Sequence, residues 1–305
     1  MSSVVISHQD ADGVFCTAIY LMKEKNEKCR CYFTSPIKLL NTICYSIIRN
    51  NSLDKLYVFD LSGNEKTLKA SSIFDRAVWI DHHQWKDVKA PENVEVIVNS
   101  RAKSAARVVA EYFDIFPEWL GISEEIDTNS VVTREAEELR GIITMLKKKY
   151  RNKLLSRELF YLSKGLASHG LDVLLASKYR NLIKEYEAWM GELKEKIYPD
   201  IYQICNHKIA IIEEKEFFPV YLICNELKNH QKAPFDIILC IFRNGLTKLE
   251  FRTHTGFDVL QIARSYGGGG HKVASGASVK SNISKEEILH KIGELMKCND
   301  EKRVS

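Results

Sequence analysis

Val4-Val5-Ile6-Ser7-His8-Gln9-Asp10-Ala11-Asp12-Gly13 is the stretch that decides how this chain is read. A short β-branched run leads straight into an imidazole, two carboxylates and a glycine. Residues two apart in an extended segment point the same way, so His8, Asp10 and Asp12 can face one site. Gly13 allows a sharp turn into the helix that follows. The six-residue pattern alone is moderately specific, so its weight depends on what the neighbouring strands do.

Working outward, the same event recurs. Residues 56–60 end in Asp60, and residues 78–81 end in Asp81, followed by His82 and His83. Two further apolar, β-rich runs, 29–34 and 94–99, alternate with helical stretches. That alternation predicts an α/β fold whose N-terminal sheet is mostly parallel and flanked by helices. In such sheets ligands bind beyond the carboxyl ends of the strands, where all these acids and histidines would converge. One carboxylate at a strand end is as often a helix cap as a ligand. Three strands doing so together, two of them with histidines, make a structural explanation of all of them improbable.

From residue 104 the pattern turns helical. Helices are expected over 104–113, 134–150, 156–168 and 171–197. The basic run Lys147-Lys148-Lys149 falls at a helix C-terminus, where cations complement the dipole. Tyr198-Pro199-Asp200 marks a break, after which strand-like runs return at 208–213, 235–242 and 248–252. The expected organisation is therefore a first domain over 1–198, including a helical connector, and a smaller C-terminal α/β domain over 199–305 with a mixed sheet. A helix over 258–264 should run into Gly267-Gly268-Gly269-Gly270-His271. Ser284-Lys285-Glu286-Glu287 is a capping-box pattern opening a last amphipathic helix.

Composition sets broad limits. Hydrophobic residues at 45% and charged residues at 28% are those of a globular chain with a core, and the net charge of +4 is only a weak hint of polyanion binding. The N-terminal run lacks the features of a secretory leader, and no apolar run is long enough to span a membrane, so the cytoplasm is the expected location. The eight cysteines include no C-x-x-C pair and read as reduced residues rather than a disulfide framework.

A mixed imidazole and carboxylate set suits Mn²⁺ or Co²⁺ better than Ca²⁺, with Mg²⁺ also acceptable. So many acids in one crevice repel one another strongly enough to call for more than one cation. Two ions roughly 3.5–4 Å apart sharing a carboxylate would activate water and clamp a phosphoryl group for in-line attack. Asp60, on the central strand, is the natural bridge.

With Asp81-His82-His83 in place, the first half resembles the DHH phosphoesterase superfamily, named for that tripeptide. Its first motif is matched by Ser7-His8-Gln9-Asp10-Ala11-Asp12-Gly13, its second by Val58-Phe59-Asp60 and its fourth by Ile126-Asp127-Thr128-Asn129-Ser130. The C-terminal part is similar to the DHH-associated domain through Phe251-Arg252-Thr253, the 258–264 helix, and Gly267-Gly268-Gly269-Gly270-His271 followed by Ala274-Ser275-Gly276-Ala277. The resemblance implies one metal held by His8, Asp10 and Asp60, and a second held by Asp12, Asp60, His82 and Asp127. It implies that His83 faces the scissile phosphate or supports the site, with Asp81 orienting a histidine from behind. Arg252, Gly268, Gly269, Gly270 and His271 match the family's substrate-holding positions, where glycines let a phosphate approach backbone N–H groups.

Asn99-Ser100-Arg101 and Ser104 open another helix, and Ser104 is either a phosphate contact or the helix N-cap. No metal ligand is substituted, which implies an active, manganese-preferring enzyme. The function implied first is a single-strand exonuclease releasing mononucleotides from DNA or RNA, with attack at the 3′ end. Oligoribonuclease with adenosine bisphosphate phosphatase activity is the alternative. A non-catalytic partner of a repair or replication helicase complex is the reading from a different class. Single-stranded nucleic acid or short oligonucleotides are the expected ligands, with a homo-oligomer and a helicase as the protein partners left open.

Overall fold

The computed structural model describes residues 2–24, 28–85, 87–215, 219–280 and 282–301. The first unit opens with β1 (Ser2–His8), α1 (Ala11–Lys23), β2 (Lys28–Thr34), α2 (Leu39–Arg49), β3 (Lys55–Phe59), α3 (Glu65–Ser71), β4 (Arg76–Asp81) and β5 (Val94–Val98). All five apolar runs expected to be strands are strands. They form one wholly parallel sheet in the order β2-β1-β3-β4-β5. Parallel strands are joined by crossovers and covered on both faces, which is why these runs are nearly continuously apolar.

The helices that follow are α4 (Ala105–Phe113), α5 (Leu120–Asp127), α6 (Arg134–Lys149), α7 (Asn152–His169) and α8 (Ser177–Lys194). On one face of the sheet Val4, Ile6, Leu56, Val58 and Trp79 pack with Leu39 and Ile43 of α2 and Leu68 of α3. On the other, the rings of Tyr20, Tyr57, Phe59 and Phe113 meet at 5.1 to 6.5 Å between centroids. Helix α7 lies against α1, where Ser163 Oγ donates to the Val14 carbonyl at 3.0 Å. The segment expected to be one helix over 171–197 is instead a 3₁₀ turn, Gly170–Leu175, followed by α8.

Register explains why the acids converge. Ser7 lies opposite Phe59, and Phe59 opposite Ile80. His8, Asp60 and Asp81 therefore emerge side by side at the carboxyl edge. The chain also runs from β1 outward to β2, then returns past β1 to β3. The strand order reverses between β1 and β3, and that is where open α/β sheets leave a crevice for ligand.

The chain divides into compact units at Met1–Glu187 and Ala188–Ser305, inside α8. The second unit contains β6 (Asp200–Ile204), β7 (His207–Glu214), α9 (Val220–Lys228), β8 (Ile237–Asn244), β9 (Leu246–Arg252), α10 (Leu260–Ser265), β10 (Gly269–His271), β11 (Ala274–Val279) and α11 (Lys285–Glu301). Its sheet is mixed, in the order β10-β11-β9-β8-β7-β6, with only the β7–β8 pair parallel. Ile209, Ile237, Leu239 and Phe251 form its core with Ile288 and Ile292 of α11. The capping box is present: Glu287 N–H donates to Ser284 Oγ at 3.1 Å and Ser284 N–H to Glu287 Oε2 at 2.8 Å. Strands β10 and β11 fall where only a glycine loop is expected, because Ala274-Ser275-Gly276-Ala277-Ser278-Val279 has little of the β-branched signal that marks a strand. Among the described residues no helix is long and apolar enough to cross a membrane.

Candidate metal centre

The first motif is built on the junction of β1 and α1. His8 ends the strand, and Asp10 caps the helix, its Oδ1 accepting the Gly13 N–H at 3.2 Å. Gly13 is required for a reason other than turn geometry. A Cβ there would lie 2.1 Å from the His8 carbonyl oxygen, so only glycine lets the helix start this close to the strand end. The His8 Nδ1 atom is then 2.5 Å from Asp10 Oδ2 and 3.3 Å from Asp60 Oδ2.

Asp60 follows β3 with φ of +56°, in the left-handed region that costs a non-glycine residue about 1–2 kcal/mol. The conformation is held by its N–H, which donates to the Ile80 carbonyl at 3.0 Å. The carboxylate is 2% exposed, and Oδ2 has no hydrogen-bond donor. Burying such an atom without a partner is costly unless a cation completes it.

On the other side of Asp60 stands His82. Its Nε2 lies 3.8 Å from Asp60 Oδ1, 3.9 Å from Asp12 Oδ2 and 3.5 Å from Asp127 Oδ2, while Nδ1 is 3.3 Å from the Ala102 carbonyl. The Ala102 contact orients the ring, and nothing in the sequence marked it. Asp127 is the last residue of α5. A carboxylate is poorly placed at the negative end of a helix, which favours a role there other than helix stability.

Asp12 is fixed by a device that changes the reading of Ser104. Its two carboxylate oxygens accept the Ala105 and Ala106 N–H groups, at 2.5 and 2.9 Å. The N-terminus of α4 does bind an anion, but the anion is Asp12. Ser104 is fully buried, accepts the Arg107 N–H at 3.2 Å and meets Ser123 Oγ at 3.1 Å. It is the N-cap of α4 and offers no surface to a substrate.

Asp81 lies behind this cluster, fully buried. Its Oδ1 is 2.6 Å from His83 Nδ1 and accepts the His82 N–H at 2.8 Å. Its Oδ2 accepts from Trp85 Nε1 at 2.6 Å and from Ser62 Oγ at 3.0 Å. The histidine it orients is thus His83. Trp85 and Ser62 are supports that sequence reasoning missed, although Trp85 sits only four residues past Asp81.

The electrostatics divide the acids into two classes. Burial, then the neighbouring carboxylates, push Asp60 and Asp12 well above the ordinary carboxylate range, and the same causes push Asp127 up to about 7. Burial would also raise Asp10 and Asp81, but their histidines outweigh it. His8 holds Asp10 well below its usual value, and the His83 bond holds Asp81 at about 2. Burial alone would lower His83, yet its bond to Asp81 raises it.

Three sets of donor atoms lie mutually within 4.8 Å: His8, Asp10 and Asp60; Asp12, His82 and Asp127; and Asp60, His82 and His83. Mixed imidazole and carboxylate donors, mutual repulsion and the donorless Asp60 Oδ2 all fit divalent cations.

In the second unit, Arg252 Nη1 donates to the Phe251 carbonyl at 2.8 Å and lies 3.2 Å from Glu250 Oε2. The glycines after α10 serve different needs. Gly267 and Gly270 have φ of +72° and +128°, and a Cβ on Gly268 would lie 2.1 Å from the Gly276 carbonyl oxygen. Gly269 has neither constraint, with nothing within 4 Å of its Cβ direction. His271 is exposed at the end of β10.

Residues 220–297 match the family model described as the DHHA1 domain. The chain shares its fold with solved structures, one of them described as a DHH domain. No curated protein sequence matches it. Among solved structures, it is similar to a pGpG-specific phosphodiesterase of Vibrio cholerae, at 16% identity over 97% of this chain and 98% of that one, with a TM-score of 0.60. The DHH domain of a protein described as belonging to a family of ribosomal proteins matches at 15% identity over 97% and 86%, with a TM-score of 0.66. RecJ of Thermus thermophilus in complex with Mn²⁺ matches at 15% identity over 96% of this chain but 52% of that one, with a TM-score of 0.57. The chain thus spans about half the length of that RecJ.

Proposed function

We propose that this chain is a two-metal phosphodiesterase, and that its reaction is exonucleolytic release of mononucleotides from the 3′ end of single-stranded DNA or RNA. The observation that carries the reading is Asp60 Oδ2, buried and in no hydrogen bond, with the His8 ring nitrogen 3.3 Å away, between two sets of metal-type ligands. His8, Asp10 and Asp60 would hold one ion, and Asp12, Asp60, His82 and Asp127 the other, with Mn²⁺ favoured by the mixed donors. Bound there, two divalent ions supply Lewis acidity to the phosphoryl group and to the attacking water.

The chain's own groups do the rest. Asp60 would serve both ions: its strained backbone is pinned to β4, and its Oδ2 faces His8 while its Oδ1 faces His82. Asp81 aims His83 and favours its protonated form, so His83 can hydrogen-bond the scissile phosphate and deliver a proton to the leaving oxygen. In the DHHA1 unit, Arg252 grips substrate phosphate, while the backbone at Gly268, Gly269 and Gly270 and the His271 ring take up the rest of the terminal nucleotide.

A second reading has its own support. The likeness to the pGpG-specific phosphodiesterase covers 97% of this chain and 98% of that one, which favours hydrolysis of dinucleotides, as an oligoribonuclease would perform. One experiment separates the two: Mn²⁺-dependent hydrolysis of strands labelled differently at each end, beside dinucleotides, with wild type and Asp60→Ala. Mononucleotides released from the 3′ end of long strands, and lost in Asp60→Ala, are the expected result. Turnover of dinucleotides alone selects the second reading. No turnover of any phosphoester under metal titration overturns both and leaves a non-catalytic role.

A further inference from the structure

The overall charge conceals a strong local asymmetry in the first unit. Residues 28–53 contain Lys28, Arg30, Lys38 and Arg49 and no acid. Residues 139–157 contain Arg140, Lys147, Lys148, Lys149, Arg151, Lys153 and Arg157, again with no acid. In sequence these segments are about a hundred residues apart and each reads as an ordinary solvated face. The fold brings them together along the outer strand β2. Phe33 N–H donates to Ser156 Oγ at 2.9 Å, Lys38 Nζ reaches Asn152 Oδ1 at 3.4 Å, and Lys153 Nζ lies 5.6 Å from the centre of the Tyr45 ring.

Some of these cations are already used: Arg140 pairs with Glu137, Lys149 with Glu185, and Arg157 with Glu158. Five others are exposed and have no carboxylate in salt-bridge range among the described residues. Arg30 donates to the Arg49 carbonyl at 2.6 Å, and Arg49 lies 5.4 Å from the centre of the Tyr45 ring. Arg151 donates to backbone carbonyls at the end of α6, Lys38 reaches Asn152, and Lys153 lies against Tyr45. Lys153 and Arg49 draw the exposed Tyr45 phenol below its ordinary value, as a positive field should. Ile37, Ile48 and Leu154 are exposed in the same region. Cations interleaved with aromatic and apolar side chains are what the phosphates and bases of a flexible strand require together.

The strip begins at the metal centre. Gln9 N–H, between His8 and Asp10, donates to the Thr34 carbonyl at 3.0 Å, and Thr34 leads directly to Lys38. From Lys38 to Arg49 the eleven residues of α2 extend about 16 Å away from that edge. A dinucleotide held at the metals leaves most of that length untouched.

Resting on the phosphodiesterase reading above, we infer that Arg30, Lys38, Arg49, Arg151, Lys153 and Tyr45 form a track for the backbone of single-stranded nucleic acid several nucleotides from the scissile bond, so that the substrate is a strand rather than a dinucleotide.

The test compares wild type with Lys38→Gln/Arg49→Gln/Lys153→Gln, all at exposed positions. Hydrolysis of a strand of about 20 nucleotides and of a dinucleotide is followed in Mn²⁺, and strand binding is read by fluorescence anisotropy in Ca²⁺ across a salt series. The variant should lose about ten-fold or more in kcat/KM on the strand, keep its dinucleotide turnover, and show a salt dependence of binding shallower by about 2, since each phosphate contact on a single strand contributes about 0.7. Equal strand binding and turnover in both proteins overturns the track. So does an equal loss on both substrates, which signals general damage. Unchanged strand binding with lost binding to vesicles containing phosphatidylserine assigns the surface to a membrane instead. If neither protein hydrolyses anything, yet wild type binds the strand and the variant does not, the track stands and the phosphodiesterase reading falls.

Discussion

The candidate metal centre of the first unit and the glycine-arginine region of the second unit are electrostatic opposites. Around Asp60 the fold concentrates Asp10, Asp12, Asp81 and Asp127, leaves a buried oxygen without a donor, and accepts a left-handed aspartate. Around Arg252 the charges answer one another: the guanidinium meets Glu250, and Glu250 also meets Lys248 at 2.6 Å. The first region is incomplete as a protein and the second is complete. An incomplete site should lose function and gain stability when its charges are removed, whereas a complete one should show modest effects on binding alone.

Asp60→Asn puts that contrast to its hardest test. Loss of the shared carboxylate should reduce phosphodiester hydrolysis on the order of a thousand-fold, while the metal-free protein melts at a higher temperature because a buried repulsion is gone. A lower melting temperature without metal would mean that Asp60 is there for structure. Asp81→Asn should act less severely, by about ten- to a hundred-fold, since it touches the site only through His83 and the His82 backbone. It should also move the alkaline limb of the pH–rate profile to lower pH, because Asp81 is what raises His83. An unshifted limb would remove His83 from proton delivery.

How much of this was legible in the sequence follows the same division. The five strands and their acids could be read because parallel strands are apolar on both faces, and a carboxylate at the end of such a run stands out. Asp127 carried no such mark, since a helix C-terminus looks like any surface, and only family resemblance pointed to it. What sits behind the ligands was invisible: Ala102 acts through a carbonyl, and Asp12 captures the N-terminus of α4 across more than ninety residues. That capture also settles Ser104 as a cap, a choice that local sequence left open. The pairing of β10 with β11 was missed because small residues satisfy a ladder as well as β-branched ones without advertising it.

The incompleteness of the first region should also appear as a pH dependence without any substrate. Asp127 is pushed up to about 7, and Asp12 and Asp60 shift the same way. Groups raised in the folded state favour folding in their protonated form, so their contribution is present below the ordinary carboxylate value near 4 and lost as pH rises toward 7. The chelated protein should therefore lose stability between about pH 4 and 7. Excess Mn²⁺ should reverse the trend, since ions bind the deprotonated carboxylates. Thermal melts with chelator and with Mn²⁺ across that range check this; coincident curves would mean that no ion binds there.

The complete region predicts smaller changes. Arg252→Ala should raise KM about ten-fold and leave kcat nearly unchanged, the loss of one charge-assisted contact made equally before and during reaction. Glu250 keeps Lys248, so the melting temperature should hardly move.

The smallest effect on the fold, and the most informative one about this region, is expected at Gly269. Gly268→Ala would press a methyl group into the Gly276 carbonyl, which β11 cannot yield without losing its pairing, so it should cost about 1–3 kcal/mol. Gly269→Ala meets nothing and needs no unusual φ, so stability should change by less than about 1 kcal/mol. If Gly269 is glycine because a phosphate or sugar must approach its backbone, the alanine variant keeps its melting temperature but shows a raised KM. An unchanged KM in Gly269→Ala would mean that the glycine run serves only the β10–β11 hairpin, and that Arg252 and His271 hold substrate without it.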